Sequence, residues 1–215
     1  MLKTLFFALI VRPFVLLVAG VHVRGREHLP DSGPCIVAAN HNSHLDTLVL
    51  LSLFPLARIR RVRPVAAADY FMRNPLSAWF ATELIGIIPI KRKPNRRDGH
   101  PLARVERALE AGETVIIFPE GSRGEPEAMQ PFKTGIAHLA KAFAEVPVVP
   151  VYVHGAGKCL PKGEALFVPF GIDVSVTEPL FCGGDESHRA FTERLESRIW
   201  ELHHNHERST PYENR

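Results

Sequence analysis

Two histidines and an aspartate lie within six residues in the stretch Val37–Asp46, which reads VAANHNSHLD. The stretch opens with a short apolar run typical of a buried strand. His41 follows this run, and the carboxylate of Asp46 comes five residues later. An imidazole at the carboxyl end of a strand in an α/β sheet faces the crevice in which such sheets bind ligands. A carboxylate that holds one ring nitrogen leaves the other to take a proton, which predicts a general base at His41.

The same residues allow two other interpretations. Ser43 and Asp46 match a capping box, in which a serine caps a helix and the residue three positions later binds back to the serine amide. The second interpretation is a zinc site, as in a zinc-dependent hydrolase, made of His41, His44 and Asp46. Thr47 stands where such a zinc pattern has a further histidine. We therefore expect no metal here, but the spacing alone does not choose between the cap and the base.

A second polar turn, Phe118–Arg123 (FPEGSR), also follows an apolar run. An arginine on a tight turn binds two phosphate oxygens at once, and Gly121 lets the backbone come close to a ligand. The turn lacks the Gly-Lys-Ser/Thr ending of a P-loop. An ordinary turn with a surface ion pair explains the same residues, so phosphate binding is one of two interpretations of this stretch.

The elements that would position these turns alternate between short strands and helices. Strands are predicted at Val21–Arg24, Cys35–Ala39, Pro64–Ala67, Ile87–Ile90, Thr114–Phe118, Val148–Val153 and Ile172–Val176. Helices are predicted at Leu45–Leu53, Pro75–Leu84, Leu102–Ala111, Phe132–Phe143 and Ser187–His204, with the histidines that follow, up to His206, fraying into solvent. Buried strands separated by helices indicate an α/β fold with a mixed, largely parallel sheet flanked by helices.

The composition limits the class of protein. Of the 215 residues 46% are hydrophobic and 23% charged, as in a globular domain. Cys35, Cys159 and Cys182 fit neither a disulfide framework nor a zinc ribbon, so we expect reduced thiols in a cytosol-facing protein. The net charge is only +3, with basic residues clustered at 58–63 and 91–97. These runs lack interleaved aromatic residues, which argues against a nucleic-acid-binding surface. The remaining interpretations are a solvated surface and a face that attracts phosphate or anionic lipid.

The N-terminus is apolar over Leu5–Val11 and Phe14–Ala19, with a break at Arg12 and Pro13. One helix over residues 2–23 would reach about 33 Å, enough to cross a bilayer core. An arginine near its middle would cost about 2.5 to 3.5 kcal/mol, so shallow insertion competes with a full span. A cleaved signal peptide is the third possibility. We predict a membrane-associating segment at residues 1–20, with an N-terminal membrane-associated helix, and one catalytic domain at residues 21–215.

Together these stretches resemble the phospholipid-synthesis acyltransferases, the family of the lysophosphatidic acid and glycerol-3-phosphate acyltransferases. NHNSHLD, which contains His41 and Asp46, resembles the HxxxxD motif of this family. GIIPIKR at residues 86–92 is similar to its second block and FPEGSR to its third, with Ser122 where threonine is common. VPVYV at residues 149–153 is similar to the fourth block. Four blocks in family order are far more specific than any single one.

The resemblance implies an O-acyltransferase that moves a fatty acyl group from acyl-CoA or acyl-ACP to the hydroxyl of a lysophospholipid. The expected acceptor is 1-acyl-glycerol-3-phosphate, giving phosphatidic acid, and another lysolipid is the alternative. The resemblance also implies the membrane surface as a partner, no cofactor beyond the thioester co-substrate, and a place at the cell membrane with the active site facing the cytoplasm. In this family pattern His41 is the base, Asp46 orients it, and the substrate-binding residues are Arg92, Glu120, Gly121, Ser122 and Arg123.

Overall fold

Seven strands form one sheet in the computed structural model, which describes residues 1–15, 20–72, 74–91, 100–124, 128–159 and 171–209. The strands are β1 (Val21–Arg24), β2 (Ile36–Ala39), β3 (Val62–Ala67), β4 (Ile88–Ile90), β5 (Thr114–Ile117), β6 (Val148–His154) and β7 (Ile172–Val176). Their order is β1-β7-β6-β2-β5-β3-β4. All neighbours are parallel except the antiparallel pair β6 and β7. The mixed, largely parallel sheet is therefore confirmed.

The helices follow the predicted pattern with shifted ends. They are α1 (Leu2–Phe6), α2 (His44–Ser52), α3 (Ala68–Phe71), α4 (Pro75–Trp79), α5 (Ala103–Glu110), α6 (Gly135–Ala142), α7 (Ala156–Cys159) and α8 (His188–Ser209). Two of them continue as π-helical turns, α1 over Phe7–Val11 and α4 over Phe80–Ile85. Residues 132–134, which we predicted to be helical, precede the first turn of α6.

Two apolar clusters cover the two faces of the sheet. In β2, Val37 and Ala39 pack with α1 and α2, whereas Ile36 and Ala38 pack with α5, α6 and α8. This division follows from the period of two in a strand, which sends successive side chains to opposite faces. All four of these β2 side chains are buried, as expected for a central parallel strand. The three cysteines are reduced thiols buried within these clusters.

The connections leave the centre of the sheet in opposite directions. From β2 the chain passes through α2 to β3 on one face, and from β5 it passes through α6 to β6 on the other. Because β2 and β5 are parallel neighbours, a crevice opens between their carboxyl ends, where ligands bind in open α/β sheets. His41 follows β2 and Phe118 follows β5, so both predicted polar turns lie at this crevice.

The N-terminal helix lies along the protein with one face buried. Phe7 and Val11 are buried in the core, whereas Leu5 and Leu9 are 56% and 66% exposed. Arg12, the residue that breaks the apolar pattern, donates from Nη2 to the carbonyl of Phe54 over 2.7 Å. Leu16–Ala19 lie outside the described residues. None of the helices described is at once long and apolar enough to cross a bilayer.

The histidine-rich end of the chain does not fray, which corrects our expectation. Helix α8 continues to Ser209, and His203 Nδ1 lies 2.7 Å from the hydroxyl of Tyr152. His206 is buried, with its ring centroid 4.2 Å from that of His154. The partners are on β6, so the sequence of α8 alone could not reveal them. These contacts dock the last turns of α8 against the sheet.

Candidate active site

Helix α2 begins with the predicted cap. Ser43 is the N-cap, and its Oγ accepts the Leu45 amide over 3.3 Å. Asp46 is fully buried, and its Oδ2 accepts the Ser43 amide over 2.8 Å, which completes a capping box. The start of α2 is thus fixed by two side chains that satisfy amides left over at every helix N-terminus.

The same carboxylate oxygen also holds the histidine. Asp46 Oδ2 lies 2.9 Å from His41 Nδ1 and accepts the Asn42 amide over 2.7 Å. The two interpretations of Asp46, cap and orienting group, therefore describe one arrangement and are not alternatives. Because Asp46 engages Nδ1, the proton of a neutral imidazole is held there and Nε2 is left as its basic nitrogen. Phe118 stacks on the imidazole with ring centroids 4.0 Å apart, which fixes the plane of the ring.

The second polar turn lies beside this pair. Gly121, Ser122 and Arg123 line the same cavity as His41. Gly121 has φ +76°, and a Cβ at this position would lie 2.5 Å from Lys133 Nζ. The left-handed backbone favours glycine here, and any larger residue would also displace the Lys133 side chain. Lys133 thus brings a second cation to the turn, which the sequence analysis did not select.

Glu120, which directly precedes Gly121 in this turn, does not line the cavity. It is 3% exposed, and both of its carboxylate oxygens accept backbone amides. Burial raises its pKa to about 7, against the lowering effect of the hydrogen bonds from His41 and Gln130. Glu120, which was predicted to shape the glycerol site, thus has both carboxylate oxygens on backbone amides.

The cavity has a volume of about 800 Å³ and two chemically different parts. Its polar end is formed by His41, His44, Gly121, Ser122 and Arg123. Its apolar wall includes Leu76, Trp79, Phe80, Ile85 and Ile87. Leu76 is 75% exposed, and Trp79 and Phe80 are more than 40% exposed, so the wall reaches the surface at α4. A largely apolar cavity with a few convergent polar groups is typical of a small-molecule site.

His44 lies at the polar end as an uncharged group at neutral pH. Burial lowers its pKa to about 4, and the electrostatic interactions with Arg123 and with His41 lower the pKa further. Its ring contacts Phe71 edge-on, at 5.8 Å between centroids. Within the described residues, no three His, Cys, Asp or Glu side chains are placed to hold a metal ion.

Other site residues were missed or cannot be placed. Arg92, the predicted second arginine for phosphate, lies outside the described residues. Asn40, which directly precedes His41, was not selected although its side chain pairs with both backbone groups of Val153, at 2.9 and 2.7 Å. This pair ties the end of β2 to β6 and fixes the point where the His41 turn begins. Its position next to His41 was the one signal available in the sequence.

Comparisons with known proteins identify the family to which this chain is similar. A model of the family described as Acyltransferase matches residues 20–154. A chloroplastic 1-acyl-sn-glycerol-3-phosphate acyltransferase from Brassica napus is 33% identical over 161 residues, which cover 74% of this chain and 44% of that protein. The human 1-acyl-sn-glycerol-3-phosphate acyltransferase alpha is 34% identical over 161 residues, 74% of this chain and 54% of that protein. The chain thus spans about half the length of these relatives.

A solved structure gives a match over more of the chain. The crystal structure of the 1-acyl-sn-glycerophosphate acyltransferase PlsC from Thermotoga maritima covers 92% of this chain and 75% of that chain. The TM-score is 0.73 and the sequence identity is 26%. The matched family region, residues 20–154, contains both the His41 turn and the Arg123 turn. The chain therefore belongs to the Acyltransferase family.

Proposed function

We propose that the chain transfers a fatty acyl group from acyl-CoA or acyl-ACP to the hydroxyl of 1-acyl-glycerol-3-phosphate, which yields phosphatidic acid. The observation that carries this proposal is the 2.9 Å contact of His41 with Asp46 at the polar end of a largely apolar cavity. The activity for which these relatives are named supports the choice of acceptor. An acyl transfer to another lysolipid would use the same groups and remains the alternative.

The reaction requires one base and no covalent enzyme intermediate. His41 Nε2 takes the proton of the acceptor hydroxyl while the oxygen attacks the thioester carbonyl carbon. The tetrahedral intermediate collapses with cleavage of the C–S bond, and the imidazolium returns its proton to the departing thiolate. Asp46 keeps the ring oriented and stabilises the imidazolium, as the aspartate of a serine-hydrolase triad does. The products are an ester and a free thiol.

The acceptor phosphate is proposed to bind at the turn that contains Arg123. A guanidinium can hold two phosphate oxygens, and the Lys133 ammonium beside Gly121 supplies a second positive charge. Gly121 and Ser122 line the cavity next to these cations and would shape the glycerol site. Arg92, which comes from the second sequence block, is the further cation that the family pattern predicts.

The apolar wall would bind the acyl chains, and its exposed residues would contact a bilayer. Phe6 of the N-terminal helix contacts Phe80 edge-on, with centroids 5.7 Å apart, so this helix lies beside the apolar wall. Exposed leucines on that helix include Leu5 and Leu9. We propose that residues 1–20 associate with the cell membrane and that residues 21–215 act on lipid from its cytoplasmic side.

The test is an acylation assay with a choice of acceptors. Membranes containing the wild type or His41→Ala are offered lysophosphatidic acid, glycerol 3-phosphate or other lysolipids, each with labelled acyl-CoA or acyl-ACP. We expect labelled phosphatidic acid from lysophosphatidic acid with the wild type alone. Label in a different lipid would move the assignment to that acceptor. Zinc-dependent release of free fatty acid without any acylated lipid would replace the proposal by a hydrolase.

A further inference from the structure

The carboxylate of Glu120 lies against the backbone of the histidine and not against the cavity. Its Oε1 accepts the His41 amide over 2.9 Å, and its Oε2 accepts the Gln130 amide over 3.2 Å. The side chain therefore links three backbone segments: its own turn, the residue that carries the imidazole, and the loop that leads into α6. A substrate in the cavity would find neither carboxylate oxygen available.

The carbonyl of His41 is held by the same part of the chain. Gly124, four residues after Glu120, donates its amide to the His41 carbonyl over 3.2 Å. His41 belongs to neither β2 nor α2, so it has no ladder or helical hydrogen bonds to fix it. Its two backbone groups are paired instead with the turn that follows β5. Asp46 thus sets the orientation of the ring, whereas the second turn sets the position of the residue.

We propose that Glu120 is a positioning residue, which holds the His41 backbone in the place required for proton transfer and does not contact the acceptor. This inference rests on the proposed function, because it assumes that His41 is the base. A shift of about 1 Å in a catalytic group is enough to lower turnover strongly, so the position of His41 has to be fixed from outside its own short segment.

The chemistry of the contact explains why a carboxylate is used. Both partners are N–H donors, so the side chain must offer two acceptors, which a carboxylate does and an amide does not. In Glu120→Gln one end would present an NH₂ group to an N–H group.

The test separates positioning from substrate binding by steady-state kinetics. In Glu120→Gln we expect kcat to fall about tenfold to a hundredfold while KM for the acceptor changes less than about twofold, because the loss would be confined to the chemical step. Glu196→Gln is the matched control, since Glu196 Oε2 accepts the Phe132 amide, over 3.3 Å, in the loop that also contains Gln130. For this control we expect both constants to stay within about twofold of the wild type.

Two kinetic results would contradict the positioning role of Glu120. A rise in acceptor KM with kcat unchanged would overturn the inference and return Glu120 to the substrate site. Equal losses of kcat in both variants would also overturn it, since the effect would then come from the loop as a whole. If Glu120→Gln does not fold, Glu120→Asp keeps the charge on a shorter side chain and is expected to show the same kcat loss at constant KM. A wild type that acylates no lysolipid would refute the proposed function instead.

Discussion

The two parts of the cavity are held in different ways. Behind the polar end, Glu120 accepts the amide of His41 and Asp46 accepts the amides of Asn42 and Ser43, so each contact depends on the kind of group that makes it. The apolar wall at α4 has mainly ring and aliphatic contacts, such as that of Phe80 with Phe6. Hydrogen bonds require exact donors and acceptors, whereas apolar packing tolerates changes of shape. We therefore expect the polar end to control turnover and the wall to control which lipids and surfaces are bound.

The largest effect is expected at His41. His41→Ala should lower acyl transfer by about 10² to 10⁴, the usual contribution of a general base, without loss of folding. His44→Ala, three residues away at the same end of the cavity, should lower it less than tenfold. Acylation rates and circular dichroism of both variants provide the measurement. Equal losses in the two variants, together with a stoichiometric bound metal, would contradict the general-base assignment.

Asp46→Asn tests the double role of that carboxylate. An amide retains some capping ability but cannot stabilise an imidazolium, so turnover should fall at least about a hundredfold with little change in melting temperature. Ser43→Ala is the matched control, because it removes the cap hydroxyl and keeps Asp46. It should cost about 0.5 to 2 kcal/mol of stability at near-normal turnover. An active but destabilised Asp46→Asn would show that capping is its whole role.

Arg123→Lys tests the phosphate site at constant charge. Loss of a bidentate, charge-assisted contact should cost about 1.5 to 3 kcal/mol, or about tenfold to a hundredfold in kcat/KM for the acceptor. The apparent affinity for the thioester should change far less. Arg198→Lys, on the exposed surface of α8, serves as the control for the substitution itself. A defect limited to the donor would assign Arg123 to the other substrate.

A smaller effect is expected on the exposed side of the N-terminal helix. Leu9→Ser should weaken binding to lipid vesicles about tenfold, since burial of a leucine side chain is worth about 1.5 kcal/mol or more. Its melting temperature should stay close to that of the wild type, because Leu9 is 66% exposed. Val11→Ser, at a buried position on the same helix, should instead lower stability. Unchanged vesicle binding by Leu9→Ser would place the membrane contact elsewhere.

The smallest effect is a pair of opposed slopes in the pH dependence of stability. His44 has a pKa of about 4, below its ordinary value of 6.5, so between these values the unfolded chain holds a proton that the folded chain does not. Its contribution to stability is therefore lost as the pH falls through this range. Glu120 has a pKa of about 7, above its ordinary 4.5, so its contribution falls as the pH rises through that range.

The two contributions partly cancel between pH 4.5 and 6.5, which single variants should reveal. Relative to the wild type, His44→Gln should make the unfolding free energy rise less, or fall more, with increasing pH. Glu120→Gln should shift the slope the other way. Each difference should amount to about 1 to 3 kcal/mol over the window, measured by chemical denaturation at several pH values. Slopes that change in the same direction in both variants would contradict this assignment.

Much of the fold could be predicted because its signals are local. Each strand is a short apolar run rich in β-branched residues, and all seven predicted strands are present. The spacing predicted His41 just before a helix and Asp46 in the first turn of that helix, so their contact follows from local geometry. The role of Arg12 in the N-terminal segment could not be predicted in this way. From the sequence, Arg12 was interpreted only as a residue that makes insertion into a bilayer costly. Its bond to the Phe54 carbonyl depends on tertiary packing that no local pattern encodes.

The parts of the site that could not be predicted all involve contacts between distant segments. The family resemblance implied that Glu120 helps to shape the glycerol site, but it could not show that the side chain accepts the amide of a residue 79 positions earlier. The Lys133 side chain contacts Gly121 from beyond the next loop. Outside the site, the contact of Tyr152 with His203 of α8 also joins distant parts of the chain. Side-chain direction at a turn depends on what lies behind it, which sequence spacing does not specify.

The sheet order has a consequence for how the chain is assembled. The first strand, β1, stands at the edge and joins the sheet through β7, so Val21 pairs with Ile172, about 150 residues later in the chain. Such distant pairing raises the contact order and delays closure of this edge during folding. The five parallel strands around the crevice, by contrast, are complete once His154 has been synthesised. On the ribosome the catalytic crevice should therefore form early, while β1 remains an unpaired segment until the nascent chain has delivered β7.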